Sequence, residues 1–244
     1  MSPGGHCWKL KTRGRYYTPG TFAKYVVSSA NYVTPIPEKL ESPEAAPMLC
    51  AGLTSYSALR KCGAKSGEWV VISGAGGGLG HLAIQIAARG MAYRVIGIDH
   101  GSKETLVKDC GAEDFIDVTK FDDTSIAEEV KRITEGNGAA AVIVCAGSYA
   151  AYGQALPMLQ FGGTVVCVGM PDGEMKPISN AFPINIATQH AHIVGSSIGS
   201  QKEATEVLGL AARGLVKTHY RLEKLEALEK TFQEMAESKL EGRV

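Results

Sequence analysis

The sequence of 244 residues lacks several features, and each absence argues against a class of protein. No apolar run approaches the roughly 20 residues of a membrane-spanning helix, and residues 1–6 lack the basic and apolar regions of a signal peptide. Lys plus Arg and Asp plus Glu number 25 each, so the formal net charge is +0. The basic residues are scattered, which argues against nucleic acid and against a membrane surface as partners. We therefore expect a globular, cytoplasmic protein.

The six cysteines are widely separated, and none of them belongs to a Cys-x-x-Cys pair. This dispersion predicts free thiols in a protein of this class. Cys145 and Cys167 lie in apolar, strand-like runs, where cysteine usually serves as a small buried apolar residue. No group of His and Cys has the spacing of a structural zinc site, so the sequence predicts no metal site.

A strand, a glycine-rich turn and a helix follow one another directly in the first half of the chain. The apolar run 69–72 predicts a buried strand of a parallel sheet, and residues 82–87 repeat apolar side chains at helical spacing. Between them, Ala75-x-Gly77-x-x-Gly80 replaces a strict Gly-x-Gly-x-x-Gly pattern. Gly77 would let a pyrophosphate approach the backbone, and Gly80 would let the helix pack closely on the strand. His81, at the start of the helix, is predicted to be a surface residue.

A second predicted strand, residues 93–99, ends at Asp99, 19 residues after Gly80. An acid at this position can accept hydrogen bonds from the adenosine ribose of NAD and would repel the 2′-phosphate of NADP. The alternative interpretation is a solvated acid at a strand end beside a purely structural glycine turn. Because several parts of the fingerprint coincide, we predict NAD as the cofactor.

Strands and helices alternate along the rest of the sequence. Predicted strands at 114–118, 139–146, 163–169 and 192–196 are separated by predicted helices at 103–110, 125–134, 149–159 and 182–189. Further helices are expected at 42–50, with Ser42 as the N-cap, and at 53–60, 202–213 and 225–238, and a further strand at 21–27. Right-handed crossovers between such units predict an α/β fold with a doubly wound parallel sheet of the Rossmann type.

Six segments together are similar to a known family: residues 50–59, 73–80, 97–99, 168–171, 193–196 and 241–243. They resemble the zinc-containing alcohol dehydrogenases of the medium-chain dehydrogenase family, and among these the fungal, tetrameric type. The resemblance covers residues 7–243. It implies a dinucleotide-binding domain at 48–200, flanked by remnants of a GroES-like catalytic domain at 1–47 and 201–244, with most of the N-terminal catalytic domain lacking.

The resemblance also implies an incomplete metal centre. Cys50 would correspond to one of three protein ligands of the catalytic zinc, and Cys7 to the last cysteine of a structural zinc site. One thiolate cannot replace a site of three or four ligands, so we expect Cys50 to bind no metal. The catalytic residues stay unknown. Tyr16, Tyr17 and Tyr56 are weak candidates for a replacement proton donor, and His190 and His192 are expected to be structural.

By the same resemblance, the cofactor-binding residues follow the carboxyl ends of the predicted strands. Thr54 would approach the nicotinamide, Lys103 the adenosine ribose and Arg243 the pyrophosphate. The competing interpretations are a plain helix residue, a surface lysine and a frayed terminal charge, respectively, and Val168 and Met170 could be core residues. The complete set is Thr54, Gly77, Gly78, Leu79, Asp99, Lys103, Val168, Met170, Ser196, Ile198 and Arg243.

Three functions are compatible with the sequence. The first is an NAD-dependent oxidoreductase that reduces a carbonyl or oxidises an alcohol, a small-molecule substrate, without the usual zinc site. The second is a non-redox protein, either a lyase- or cyclase-like enzyme or a binding module, that reuses the nucleotide crevice. The third is an inactive dehydrogenase fragment. An edge strand near Ile193 also predicts a homo-oligomer, because exposed edges tend to pair.

Overall fold

The computed structural model describes residues 25, 27, 30–122, 125–237 and 242–244. They contain a six-stranded sheet in which every neighbouring pair is parallel. The strands are β1 Trp69–Ser73, β2 Arg94–Asp99, β3 Asp114–Asp117, β4 Ala139–Val144, β5 Leu159–Cys167 and β6 His192–Gly195. Their order in the sheet is β3-β2-β1-β4-β5-β6. Successive strands are added on one side of β1 up to β3 and on its other side from β4 onward. This arrangement confirms the predicted doubly wound, Rossmann-type fold.

The helices fall where the sequence predicts them, within a few residues at their ends. They are α1 Ser42–Pro47, α2 Leu53–Lys61, α3 Gly80–Gln85, α4 Glu104–Asp109, α5 Ser125–Ile133, α6 Tyr149–Ala155, α7 Pro183–Gln189, α8 Gln201–Ala212 and α9 Leu228–Ala236. Short 3₁₀ turns precede α4 (Gly101–Lys103) and α9 (Leu225–Ala227). Within the described ranges, no helix is long and apolar enough to cross a membrane. The strand expected at 21–27 lies almost entirely outside these ranges.

Both faces of the sheet are buried at its central strands β1 and β4, and alternate residues of a strand pack on opposite sides. Val70 and Ile72 of β1 join a core with side chains of α3 and α8. Val71 points the other way, into a second core with residues of α5 and α6. Two covered faces explain why the strands read as continuous apolar runs rather than as alternating ones.

The segment before β1 differs from the sequence prediction. Instead of two separate helices, α1 and α2 are joined by a π-helical turn, Met48–Gly52, and the residues at both joins have helical backbone angles. Glu41, not Ser42, occupies the N-cap position, and no side chain caps the helix. A π-helical turn keeps the direction of the helices on either side of it. The apolar pattern of the sequence therefore does not distinguish such a turn from a break between two helices. Such turns occur frequently at functional sites, and this one contains Cys50.

Candidate functional site

The glycine turn between β1 and α3 is closed by contacts that exclude larger side chains. Gly74 has a φ of +78°, and a Cβ there would lie 2.8 Å from the backbone nitrogen of Ala146 after β4. A Cβ on Gly80 would collide with the carbonyl oxygen of Gly74, and would lie 2.6 Å from that of Ala75. The start of α3 therefore packs directly on the end of β1, which is the role that the sequence predicts for Gly80.

Asp99 and Lys103 meet the turn on one side, at Gly76. The Gly76 N–H donates to one carboxylate oxygen of Asp99 at 2.8 Å, and the His100 N–H donates to the other at 2.8 Å. A Cβ on Gly76 would lie 2.6 Å from the Cβ of Lys103. The carboxylate is thus fixed at the carboxyl end of β2, where ligands bind in open α/β sheets.

Arg243 meets the turn on the other side. Its Nε donates to the carbonyl oxygen of Gly78 at 3.2 Å, and a Cβ on Gly78 would lie 2.8 Å from that nitrogen. The backbone of Arg243 forms a parallel bridge with Tyr220, since its N–H donates to the His219 carbonyl at 2.9 Å and its carbonyl accepts from Arg221 at 3.0 Å. A frayed, solvated Arg243, one of the two interpretations above, is therefore wrong for this structure.

A cavity of about 780 Å³ lies over the turn. Among its lining residues are four of the predicted cofactor-binding residues, Gly77, Gly78, Leu79 and Arg243. The opposite wall carries apolar side chains from the loop before α9 and from α9 itself: Leu222, Leu225, Leu228, Phe232 and Met235. The size suits a small-molecule or cofactor site. One wall is therefore backbone and guanidinium, and the other combines these apolar side chains with Arg221, Glu223, Lys224 and Thr231.

Four further predicted residues, Val168, Met170, Ser196 and Ile198, follow the ends of β5 and β6 and do not line this cavity. Val168 is buried, and Met170 is largely exposed. The buried Ser196 accepts a hydrogen bond from Nζ of Lys61 at 3.1 Å. Ile198 has a φ of +54°. These positions agree with the predicted strand ends, and a cofactor role for these side chains stays a prediction.

Thr54 lies one turn of helix after Cys50, and its hydroxyl donates to the Cys50 carbonyl at 2.7 Å. The next segment along the sheet edge approaches the same helix, because a Cβ on Gly199 would lie 2.6 Å from Cδ1 of Leu53. Thr54 and the Ser196–Ile198 segment are thus brought to neighbouring parts of the molecule.

His81 and Gln85 are the residues that sequence reasoning missed. His81 is completely buried, not at the surface as predicted, and Gln85 is also buried. Nδ1 of His81 lies 2.9 Å from the Gly77 carbonyl, and Nε2 accepts from the His219 N–H at 3.3 Å. Burial is the main cause that lowers the pKa of His81 from 6.5 to about 4; the charges of Arg243 and His219 lower it further, and the Gly77 carbonyl opposes them. No local pattern signals this burial, since the covering segment, residues 217–219, is distant in sequence.

The predicted candidates for proton transfer and metal binding are spread apart. Cys50 is exposed, and within the described part of the chain no three His, Cys, Asp or Glu residues group as metal ligands would. These residues therefore do not fit a catalytic zinc ion. The Tyr56 hydroxyl donates to Glu206 at 2.9 Å, and the His190 ring lies 4.5 Å from that of Phe161. Cys7, Tyr16 and Tyr17 lie outside the described residues.

A family described as zinc-binding dehydrogenase matches residues 78–213. The chain belongs to this family. Alcohol dehydrogenase 2 of Emericella nidulans is 55% identical over 98% of this chain and 66% of its own length. An alcohol dehydrogenase of Schizosaccharomyces pombe is 40% identical over 94% of this chain and 64% of its own length. The chain thus spans slightly less than two thirds of these relatives.

Solved structures agree with this membership. The alcohol dehydrogenase of the hyperthermophilic archaeon Aeropyrum pernix superposes with a TM-score of 0.80 at 26% identity, covering 92% of this chain and 64% of that protein. A structure described as an NAD-dependent alcohol dehydrogenase gives a TM-score of 0.80 at 27% identity, over 91% of this chain and 64% of that protein. The resemblance that the sequence motifs indicate is confirmed.

Proposed function

We propose that this chain binds NAD(H) at the glycine turn and belongs to an oxidoreductase that converts a small alcohol into a carbonyl compound or the reverse. One observation carries the proposal: the turn is held between a carboxylate and a guanidinium. Asp99 accepts the Gly76 N–H on one side, and Arg243 donates to the Gly78 carbonyl on the other. Relatives named alcohol dehydrogenase supply the reaction class.

The residues present fit a dinucleotide. Gly77 lines the cavity, and among the described residues other than its chain neighbours only the carbonyl oxygen of Gly74, at 3.4 Å, lies within 4 Å of a Cβ placed there. A pyrophosphate can therefore approach this backbone, with the Arg243 guanidinium beside it to balance its charge. The free lone pairs of the Asp99 carboxylate can accept ribose hydroxyls, and its negative charge opposes the 2′-phosphate of NADP.

NAD supplies the hydride chemistry when bound, and the chain's own residues bind and orient it. The resemblance implies that Thr54 approaches the nicotinamide and that Val168, Met170, Ser196 and Ile198 contact the cofactor. The described residues do not form a zinc site, so the proposal includes no zinc-dependent step.

Calorimetric titration of the purified chain with NAD⁺ and NADP⁺ tests the proposal. We expect binding of NAD⁺ and a clear preference for it over NADP⁺. The substitution Asp99→Asn should weaken NAD⁺ binding by about tenfold, because a charge-assisted hydrogen bond contributes about 1.5–3 kcal/mol, and should reduce the preference. Asp109→Asn, at an exposed position of α4, is the matched control and should change neither. Unchanged preference in Asp99→Asn would exclude the ribose contact, and absence of NAD⁺ binding would favour a non-redox protein or an inactive fragment.

We also propose self-association through β6 and a cytoplasmic location. Along the sheet, β6 pairs with β5, and Ile193 on it is 36% exposed; such an edge favours pairing with a second copy. The division into segments 1–47, 48–200 and 201–244 is likewise a proposal, in which Arg243 is the contribution of the last segment to the cofactor. Light scattering of the purified chain tests the oligomeric state.

A further inference from the structure

His81 is a buried imidazole whose two ring nitrogens both have partners, which fixes its protonation state. Nδ1 lies 2.9 Å from the Gly77 carbonyl, which can only accept, so Nδ1 carries the proton. Nε2 lies 3.3 Å from the His219 backbone nitrogen, which can only donate, so Nε2 carries none. The geometry therefore requires the neutral Nδ1–H tautomer.

The two bonds of His81 belong to a closed chain of hydrogen bonds that begins and ends on the glycine turn. From Gly77 it passes through the imidazole to the backbone of His219, whose carbonyl accepts the Arg243 N–H at 2.9 Å. Arg243 then returns to the turn, because its Nε donates to the Gly78 carbonyl at 3.2 Å. His81 is the side-chain link between the turn and the backbone segment that carries Arg243.

A second side chain of α3 holds the same segment. Gln85 donates to the Lys217 carbonyl at 2.8 Å and accepts the Lys217 N–H at 2.9 Å. Residues 217–219 are thus docked on α3 by two consecutive turns of that helix. Of these two side chains, only the imidazole of His81 also touches the turn that receives the cofactor.

We infer that His81 is a positioning residue for the dinucleotide: its Nε2, which is an acceptor in the Nδ1–H tautomer, holds the His219 N–H and so sets the place of Arg243 relative to the glycine turn. The inference rests on the NAD binding proposed above. A proton on Nε2 would face the His219 N–H, and two donors cannot bond each other. The side chains whose charges act on His81 are Arg243 and His219, and both oppose a second proton. Cofactor affinity therefore requires the neutral ring.

Two substitutions separate the two ring nitrogens. His81→Asn keeps an amide N–H near the position of Nδ1 but does not reach His219. His81→Gln places an amide oxygen near the position of Nε2 and can still accept the His219 N–H. His192→Gln, on the exposed edge strand β6, is the matched control for the second change.

Calorimetry with NAD⁺ at neutral pH gives the first readout. We expect His81→Asn to weaken binding about tenfold, since a lost hydrogen bond of about 1–1.5 kcal/mol corresponds to about that factor. His81→Gln should stay within about twofold of the parent chain, and His192→Gln should equal it. Backbone amide exchange at His219 and Arg243 should accelerate in His81→Asn and stay slow in His81→Gln.

The tautomer gives a readout that does not depend on the cofactor. ¹⁵N NMR of the imidazole should show a protonated Nδ1 and an unprotonated Nε2 at His81. A protonated Nε2, or equal NAD⁺ affinity for the parent chain and a folded His81→Asn variant, would overturn the inference while leaving the proposed function intact. If His81→Asn does not fold, a His81→Gln variant that folds but binds tenfold more weakly would also overturn it. A parent chain that binds no NAD⁺ would remove the proposed function and this inference together.

Discussion

The two walls of the cavity over the glycine turn differ in their contacts. One wall is held by hydrogen bonds, and the other exposes apolar side chains to solvent. On one wall, Gly77, Gly78 and Arg243 line the cavity, and the turn is held by hydrogen bonds with Asp99, His81 and Arg243. On the other, α9 and the loop before it leave large apolar side chains in the open: Leu222 is 73% exposed, Leu225 60% and Met235 57%. The described residues thus contain a glycine turn that is held by hydrogen bonds and, across the cavity from it, exposed apolar side chains.

This difference indicates which half of the chemistry the described residues can perform. A site that binds a rigid, charged ligand needs fixed donors and acceptors, and the turn has them. An apolar face of this kind marks a surface that contacts something else, either another part of a protein or a substrate. The hydrogen-bonded turn is thus the part suited to the proposed cofactor, and the exposed apolar face of α9 is a surface for another contact.

The largest effect is expected for a substitution of Gly80, at the end of the glycine turn. In Gly80→Ala the new Cβ meets the carbonyl oxygens of Gly74 and Ala75, which are backbone atoms that cannot rotate away. We expect a loss of about 3 kcal/mol or more in the free energy of unfolding, at the upper end of overpacking costs. Urea unfolding followed by circular dichroism measures it.

Gly209→Ala is the matched control, because a Cβ at this position in α8 meets nothing within 4 Å. There the same change should stabilise the chain by about 0.5–1 kcal/mol through helix propensity. Equal effects of the two substitutions would show that the turn is not closed as described.

A smaller effect concerns the protonation of His81. The pKa of His81 is about 4 in the folded chain, below its ordinary value of 6.5, because burial disfavours the charged ring. Between these values the unfolded chain binds more protons than the folded one, so stability falls as the pH falls. His81 should remove about 1 kcal/mol from the free energy of unfolding between pH 6 and pH 5.

Urea unfolding at these two pH values, in the parent chain and in His81→Gln, measures the contribution of this one group. The variant should lose about 1 kcal/mol less than the parent over the interval. Identical losses would mean that His81 titrates normally in the folded chain and that its ring is not held as a neutral donor and acceptor.

The glycine turn and its partners also show which parts of the site can be predicted from the sequence. The strands and the glycine turn follow from local patterns, because apolar periodicity and glycine spacing directly encode buried strands and a tight turn. Asp99 was found by its spacing from Gly80. The place of Arg243 and the burial of His81 could not be derived in this way, since both depend on residues 217–221 docking against α3 from far along the chain. The π-helical turn at Met48–Gly52 was also missed, because its apolar pattern matches that of ordinary helices.

The smallest effect is expected for a substitution on the exposed apolar face of α9. Met235 on α9 is 57% exposed, and glutamine has a similar shape and a similar helix propensity. Met235→Gln should therefore change the free energy of unfolding by no more than about 0.5 kcal/mol. The same substitution at Met158, which is 2% exposed, buries an amide in the core and should cost about 2–4 kcal/mol. Urea unfolding of both variants measures the contrast. If Met235→Gln lowered the free energy of unfolding nearly as much as Met158→Gln, another surface would cover α9 in solution. The contrast between the two walls of the cavity would then not hold.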